Sequence, residues 1–326
     1  MKILLFHPAI LPPKDYGGVE RVVLWLSEGL RDFGHEVTVA ALEGSKVPRG
    51  VSFLSVPMGD RSATSLAARI PPGTEVVHFQ APPESGYFRD GVPPAVTTIH
   101  GNGKPGEIFP ANTVFLSRNH AERHARTTFV YNGVNVAEFD LCEKLGTARR
   151  RNSPLFFSKT TLRTKNLAGA MEIARRANMP LTIAGGNRPI GLRLRALVSG
   201  HRWLGPVSGA EKAKILSEAS TLLFPVIWHE PFGLVMVEAM LSGTPIVGSR
   251  RGSIPEIVDF DSGRVLDLPK DESDSEAFLR WAEALRAVQD LDPGTLRKRA
   301  IERFSHHRMA ESYLEVYKRV IRGETL

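Results

Sequence analysis

The chain has 326 residues, 42% hydrophobic and 24% charged, an ordinary composition for a soluble globular protein and long enough for two domains of about 150 residues each. A single cysteine, Cys142, excludes an intramolecular disulfide and any cysteine-rich zinc site, and fits a reducing compartment. The net charge of +7 is uneven, with +1 over residues 1–150 and +6 over the remainder. The apolar run in MKILLFHPAILPP is too short for a signal peptide, and no run approaches a membrane span. These features predict a cytoplasmic soluble protein.

Apolar strand-like runs alternate with amphipathic helical patterns, the signature of an α/β protein with doubly wound parallel sheets. KILLFHPAI reads as a buried strand and LPPKDYGG as a loop. VERVVLWLSEGLRDFG places Val19, Val22, Val23, Leu26 and Leu30 at helical spacing and stops at Gly34. EVTVAAL, VSFLSVP, TEVVHFQ, AVTTIHG, NTVFLS and TTFVYNGV continue a series of strands to about residue 135. A second series follows: the strand PLFFSKT, the helix NLAGAMEIARRA, the strand PLTIAGG, the helix AEKAKILSEA, the strand TLLFPV, the helix of EPFGLVMVEAML and the strand TPIVGS. The polar segment at about 136–153 is the expected domain boundary, with a cleft between two doubly wound domains. Arg149, Arg150 and Arg151 within it read as a solvated linker.

A basic half attracts phosphates, nucleic acid or an anionic membrane surface. No nucleic-acid motif and no alternation of aromatic and basic residues is present, so phosphorylated small molecules are the more economical partner. In such sheets ligands bind at the carboxyl ends of strands, where loops meet helix N-termini. Gly17 and Gly18 stand there after the first strand, where adjacent glycines admit a ligand to the backbone and a helix start favours an anion. An ordinary tight turn explains the same pair. A dinucleotide fingerprint is absent, which counts against a nicotinamide enzyme.

His100 ends the strand AVTTI before a flexible loop and suits a hydrogen-bonding role, or merely caps that loop. His7, His78 and His229 read as structural, and no histidine spacing suggests a metal site. The loop Ser158–Asn166 after PLFF gathers Lys159, Arg163 and Lys165, which could pair with a diphosphate or simply face solvent. In HEPFGLVMVEAMLSGTPIV, Pro231 and Gly233 predict a helix from near Leu234. The amides of Gly233, Leu234 and Val235 are then free to receive an anion. Glu230 and Glu238 flank that start as acceptors for vicinal hydroxyls. Dipole complementation alone accounts well for Glu230 but poorly for Glu238, which sits among Val235, Met236, Val237, Ala239 and Met240.

With YGGVERVV, IHG, YNGVNVAEF, LTIAGG and GSIPEIV in matching order, the two-glutamate segment resembles retaining glycosyltransferases of the GT-B fold, family 4 (glycosyl transferases group 1). The resemblance covers nearly the whole chain. It implies a Rossmann-like acceptor domain over 1–145, completed by a C-terminal helix at about 308–326, and a Rossmann-like nucleotide-sugar donor domain over 153–305. It assigns Gly17 and Gly18 to the diphosphate, His100 to the donor sugar, and Lys165 to the diphosphate. Where the family carries an arginine after a glycine, this chain has Ser158-Lys159, so Lys159 or Arg163 must supply the second cation. Glu230 would hold the transferred sugar, with Phe232, Gly233 and Leu234 lining that site, and Glu238 the ribose. The backbone near Leu204 and Val207 would lie against the base.

The implied reaction moves a sugar, with retention, from a nucleoside diphosphate sugar to a hydroxyl acceptor. His100, Glu230 and Lys165 form its catalytic set, and no cofactor or metal is required. A nucleotide-sugar epimerase or phosphorylase on the same fold, or a binding module without turnover, are the alternatives. The basic pI of about 9.6 leaves room for peripheral attachment at the inner membrane face. Acceptor loops are expected around 10–16, 80–91 and 102–109.

Overall fold

The computed structural model describes residues 1–13, 17–57, 63–83, 87, 91–104, 106–139, 153–186 and 200–326. Asp15, Tyr16, Cys142 and the arginine run 149–151 lie outside the described residues, as do parts of the expected acceptor loops. The chain forms two compact units, Met1–Val134 with Phe304–Leu326, and Asn135–Arg303.

The first unit contains β1 (Lys2–Phe6), α1 (Gly18–Asp32), β2 (Glu36–Leu42), β3 (Ser52–Val56), α2 (Ala63–Ala67), β4 (Val76–Phe79), β5 (Ala95–Thr98), β6 (Thr113–Val114) and α3 (Arg118–Glu122). Its sheet is parallel in the order β3-β2-β1-β4-β5-β6. β1 is central: Ile3 pairs with Val37 on one side and Val76 on the other. Strands covered on both faces must be apolar throughout rather than alternating, and Leu4, Leu5, Val76 and Val77 are wholly buried. The apolar stripe of α1 (Val22, Val23, Leu26, Leu30) is buried, and the chain turns at Gly34 with φ +81°.

The C-terminal helix His306–Ile321 packs on α1 within this unit. Gly29 permits that approach, since a Cβ there would lie 2.7 Å from the His306 carbonyl oxygen and 2.8 Å from Ala310 Cβ. A buried polar network fixes the helix to the sheet. His78 pairs with Tyr317 Oη and Thr98 Oγ1, each at 2.7 Å, and Thr98 Oγ1 with Tyr313 Oη at 2.7 Å. His78 is thus structural, as the sequence suggested. The expected strand TTFVYNGV is a correction: the segment makes only isolated bridges, Phe115 with Phe129 and Val134 with Ser305. Its aromatic and β-branched residues serve local packing instead, with Phe129 against Tyr131 and Tyr131 against Phe304.

The second unit contains β7 (Leu155–Phe157), α4 (Leu167–Arg176), β8 (Thr182–Ala184), β9 (Arg202–Gly205), α5 (Gly209–Glu218), β10 (Leu222–Phe224), α6 (Leu234–Leu241), β11 (Ile246–Ser249), α7 (Ile254–Ile257), β12 (Gly263–Leu266), α8 (Ser275–Ala287) and α9 (Pro293–Phe304). The parallel order is β12-β11-β10-β7-β8-β9. The strands β9 and β12, not anticipated from the sequence, are its two edges. Phe156, Met171, Ile183, Leu223, Val247 and Trp281 meet in one core cluster between the sheet and helices α4 and α8. Among the described residues, no helix is long and apolar enough to cross a membrane.

Candidate active site

In the second unit the strand order reverses between β7 and β10, and the residues of interest gather at the carboxyl ends of these strands. Gly233 (φ +80°) ends the incoming loop, and α6 begins at Leu234, where the sequence placed it. Gly233, Leu234 and Val235 are half-buried, while Met236 through Leu241 are buried on every side. The opening amides of α6 therefore stand at the one end of the helix that is not enclosed.

Both glutamates are buried, and each holds a lysine. Glu230 is 6% exposed, and its Oε2 accepts from Lys165 Nζ at 2.6 Å and from Trp228 Nε1 at 2.8 Å. Lys165 Nζ also lies over the Trp228 ring, 4.5 Å from its centroid, and 5.6 Å from that of Phe224. Glu238 is 2% exposed, and its Oε2 is 2.5 Å from Nζ of Lys212, on α5. That ammonium sits 5.2 Å from the ring centroid of Phe157, the last residue of β7. A buried carboxylate without a countercharge is costly, and each lysine supplies that countercharge.

The surrounding loops are held by backbone contacts that explain their sequences. Asn166 takes the left-handed conformation (φ 59°), caps α4 by accepting from Gly169 N at 3.1 Å, and donates to Pro225 O at 2.9 Å. Ile227 N donates to Thr164 O at 3.0 Å, so the Lys165 turn and the segment leading to Glu230 are stitched together. Gly252 (φ +59°) approaches Glu230 so closely that a Cβ would lie 2.3 Å from its backbone nitrogen and oxygen. Ser253 then donates through N to Glu230 O and through Oγ to Phe232 O, both at 2.9 Å, and Phe232 is buried. The GSIPEIV segment is thus a brace for Glu230. Gly185 (φ +101°) likewise lets the end of β8 reach the Ser158 backbone.

Lys159 and Arg163 are both exposed on this loop, Arg163 in the same short turn as Lys165. Leu204 is half-buried on β9 and lines a small hollow with Leu155, Thr182, Ile215 and Ala219, while Val207 is half-buried before α5. The structure therefore brings Lys165, Glu230, Glu238, Gly233, Leu234 and Val235 to one junction, and leaves the Leu204 side chain turned into its own hollow.

In the first unit Gly17 caps α1, and only glycine fits: a Cβ would lie 2.5 Å from Pro13 Cβ and 2.7 Å from Glu20 Oε2. Gly18 opens the helix. His100, just beyond β5, pairs its Nε2 with Gln80 Oε1 at 2.9 Å. Burial, with the neighbouring His7 and His120 rings, lowers its pKa to about 3, so the ring is neutral and acts as a hydrogen-bonding group rather than a cation. His7 is mostly buried, its pKa lowered by burial, with Glu20 at 4.0 Å. Among the described residues, neither His7 ring nitrogen nor Gln80 Nε2 has a hydrogen-bond partner. His229 is exposed.

The packing of the C-terminal helix on α1 brings ligand-type atoms of Asp32, His306 and His307 within 4.8 Å of one another, a grouping that sequence spacing did not suggest. Asp32 already pairs with His307 at 3.0 Å and with the Arg31 guanidinium at 2.7 Å, so its carboxylate is committed to neighbours. Sequence reasoning also missed Lys212, Trp228, Asn166 and Gly252. Trp228 and Gly252 lie inside or beside quoted motifs, but Lys212 carries no local signal.

A family model for glycosyl transferases group 1 matches residues 160–285. The chain is 28% identical over 308 residues to a phosphatidyl-myo-inositol mannosyltransferase of Mycolicibacterium smegmatis, covering 80% of this chain and 79% of that protein. It is 36% identical over 131 residues to an alpha-maltose-1-phosphate synthase of the same organism, of which it spans 33%. A crystal structure of a glycosyltransferase involved in avilamycin A biosynthesis has the same fold, with a TM-score of 0.82, 23% identity and 99% of both chains covered. Anabaena HepE, solved in complex with UDP-glucose, aligns with a TM-score of 0.69 and 15% identity over 98% of this chain and 99% of its own. The two parallel six-stranded sheets match the GT-B fold of these glycosyltransferase structures. Over residues 160–285 the chain therefore matches the group 1 glycosyltransferases, and over most of its length it is similar to a mannosyltransferase.

Proposed function

We propose that the enzyme transfers a sugar, with retention, from a nucleoside diphosphate sugar to a hydroxyl acceptor. The single observation that carries this reading is the pairing of two buried glutamates with two partly buried lysines around the open start of α6. Such a junction offers cations and amides to a diphosphate and carboxylate oxygens to sugar hydroxyls, the two chemistries that a nucleotide sugar combines. The UDP-glucose-bound neighbour supports this donor class, and the mannosyltransferase relative supports transfer of a sugar.

In this reading Lys165 turns from Glu230 to the diphosphate when donor arrives, and stabilises the charge that develops on the leaving group. Glu230, freed on one oxygen and still held by Trp228, accepts hydroxyls of the transferred sugar beside Phe232, Gly233, Leu234 and Val235. Glu238 accepts the ribose hydroxyls, with the backbone near Leu204 and Val207 against the base. Lys159 or Arg163 supplies the second cation. Gly17 and Gly18 offer amides to phosphate oxygens, and the neutral His100 ring hydrogen-bonds the sugar. Lysines and amides carry the electrostatics, so the reading needs no metal. A glycan, a glycolipid or a small molecule could serve as acceptor, and peripheral attachment to a membrane follows only from the second of these.

The test is release of nucleoside diphosphate from a panel of nucleotide sugars, with the anomeric configuration of product read by NMR. Turnover of one donor with retention, abolished in Glu230→Ala, is expected. An inverted product, or full turnover in that variant, contradicts the reading.

A further inference from the structure

Lys212 lies on α5, away from every motif that marks the donor site, yet its side chain is only 12% exposed and its Nζ is 2.5 Å from Glu238 Oε2. In AEKAKILSEA it is one of two lysines two residues apart. Lys214 stays exposed, whereas Lys212 turns inward between α6 and the ring of Phe157. Burying a lysine side chain costs rotamer freedom and hydration, and a helix gains nothing in return unless the ammonium is needed where it ends up. Here it ends on the one charged residue of α6.

The geometry mirrors the neighbouring pair. Lys165 and Lys212 each lie over an aromatic ring and each bind one oxygen, Oε2, of a buried glutamate. The two differ in what surrounds them. Lys165 sits in a loop turn, where it can swing to another anion, while Lys212 is set in the second turn of a ten-residue helix packed on α6. The first arrangement is suited to exchange partners, the second to stay.

We propose that Lys212 is a positioning residue that fixes Glu238 as a rigid acceptor for the two ribose hydroxyls of the donor, and so sets the preference of the site for ribose over 2′-deoxyribose. The inference rests on the ribose role of Glu238 in the proposed function. A carboxylate has about four lone-pair directions, enough to accept from an ammonium and a vicinal diol together. With the ammonium in place the carboxylate stays an acceptor only and cannot rotate to satisfy a single hydroxyl. A 2′-deoxy sugar then leaves a buried acceptor unmet, which costs about tenfold or more in affinity when the acceptor is charged. Without the ammonium the carboxylate is free to turn, and the discrimination fades.

The experiment is calorimetric titration of the full chain with matched ribo- and 2′-deoxyribonucleoside diphosphates, UDP against dUDP and likewise for the guanosine and adenosine pairs. Wild type, Lys212→Met, Lys212→Gln and Lys212→Arg are compared, with folding checked by circular dichroism. Wild type is expected to prefer one ribonucleotide over its deoxy partner by about tenfold or more. Both Lys212→Met and Lys212→Gln should lose most of that ratio while keeping affinity for the deoxy compound, and Lys212→Arg should restore part of it. Either folded neutral variant keeping the wild-type ratio overturns the inference alone, as does an arginine variant that restores none of it. Absence of any diphosphate binding by wild type overturns the donor reading, and this inference with it.

Discussion

The two units solve the same problem, burying polar groups at the ends of a parallel sheet, in opposite ways. The first unit buries neutral groups: His78, Thr98, Tyr313 and Tyr317 form an uncharged network, and His100 is held neutral beside Gln80. The second unit buries charges in pairs, Lys165 with Glu230 and Lys212 with Glu238. A neutral network is satisfied once and for all, and it docks a helix. An ion pair has capacity to spare on both partners, since each keeps further donors or acceptors for a ligand. On the proposed function, the paired charges stand where the donor is to bind.

Breaking the charged side should give the largest effect. Lys165→Ala removes the cation proposed to meet the diphosphate and should lower kcat by about a hundred- to a thousandfold, as loss of a transition-state donor does. Steady-state kinetics with the turned-over nucleotide sugar would check it. The neutral side should fail in acid instead. Burial lowers the His78 pKa to about 3 and the His120 and His306 pKa to about 4, all below the value of 6.5 in the unfolded chain. Unfolded chain therefore binds more protons between those values. The stability from neutral burial is complete above pH 6.5 and is lost as pH falls toward 3. At pH 5 His78 alone should cost the first unit about 2 kcal/mol. Fluorescence of single-tryptophan variants retaining Trp25 (first unit) or Trp281 (second unit) should show the Trp25 signal changing at the higher pH.

Smaller changes sharpen the contrast. Tyr317→Phe leaves the buried His78 Nδ1 unmet and should destabilise the first unit by about 1–2 kcal/mol, seen in urea melts, without changing kcat. Lys159→Ala and Arg163→Ala, on exposed cations, should each weaken donor binding by no more than about fivefold. A larger loss in one of them would identify the second diphosphate cation.

Much of this was legible in the sequence, for physical reasons. Strands buried on both faces are continuous apolar runs, so β1, β2, β4 and β10 announce themselves, and Pro231 with Gly233 marks the start of α6. The edge strands β9 and β12 do not, because RWLG and GRVL are half polar and face solvent on one side. TTFVYNGV has strand chemistry but little ladder to join, and aromatic packing claims it instead. Glu238 was conspicuous as a carboxylate in an apolar helix, whereas its partner was hidden. Lys212 looks like any surface lysine of an amphipathic helix until α5 is packed against α6. Gly252 shows the same limit, since its meaning lies in contact with Glu230, 22 positions away.

In the proposed function the junction at α6 holds a nucleoside diphosphate through its buried glutamates. Thermal melting with a panel of nucleoside diphosphates, wild type beside Glu238→Ala, tests it most directly, because a ligand that binds only the folded state must raise the melting temperature. One nucleotide should raise the wild-type Tm and raise that of the variant much less. An equal rise in both would contradict the placement of the ribose on Glu238.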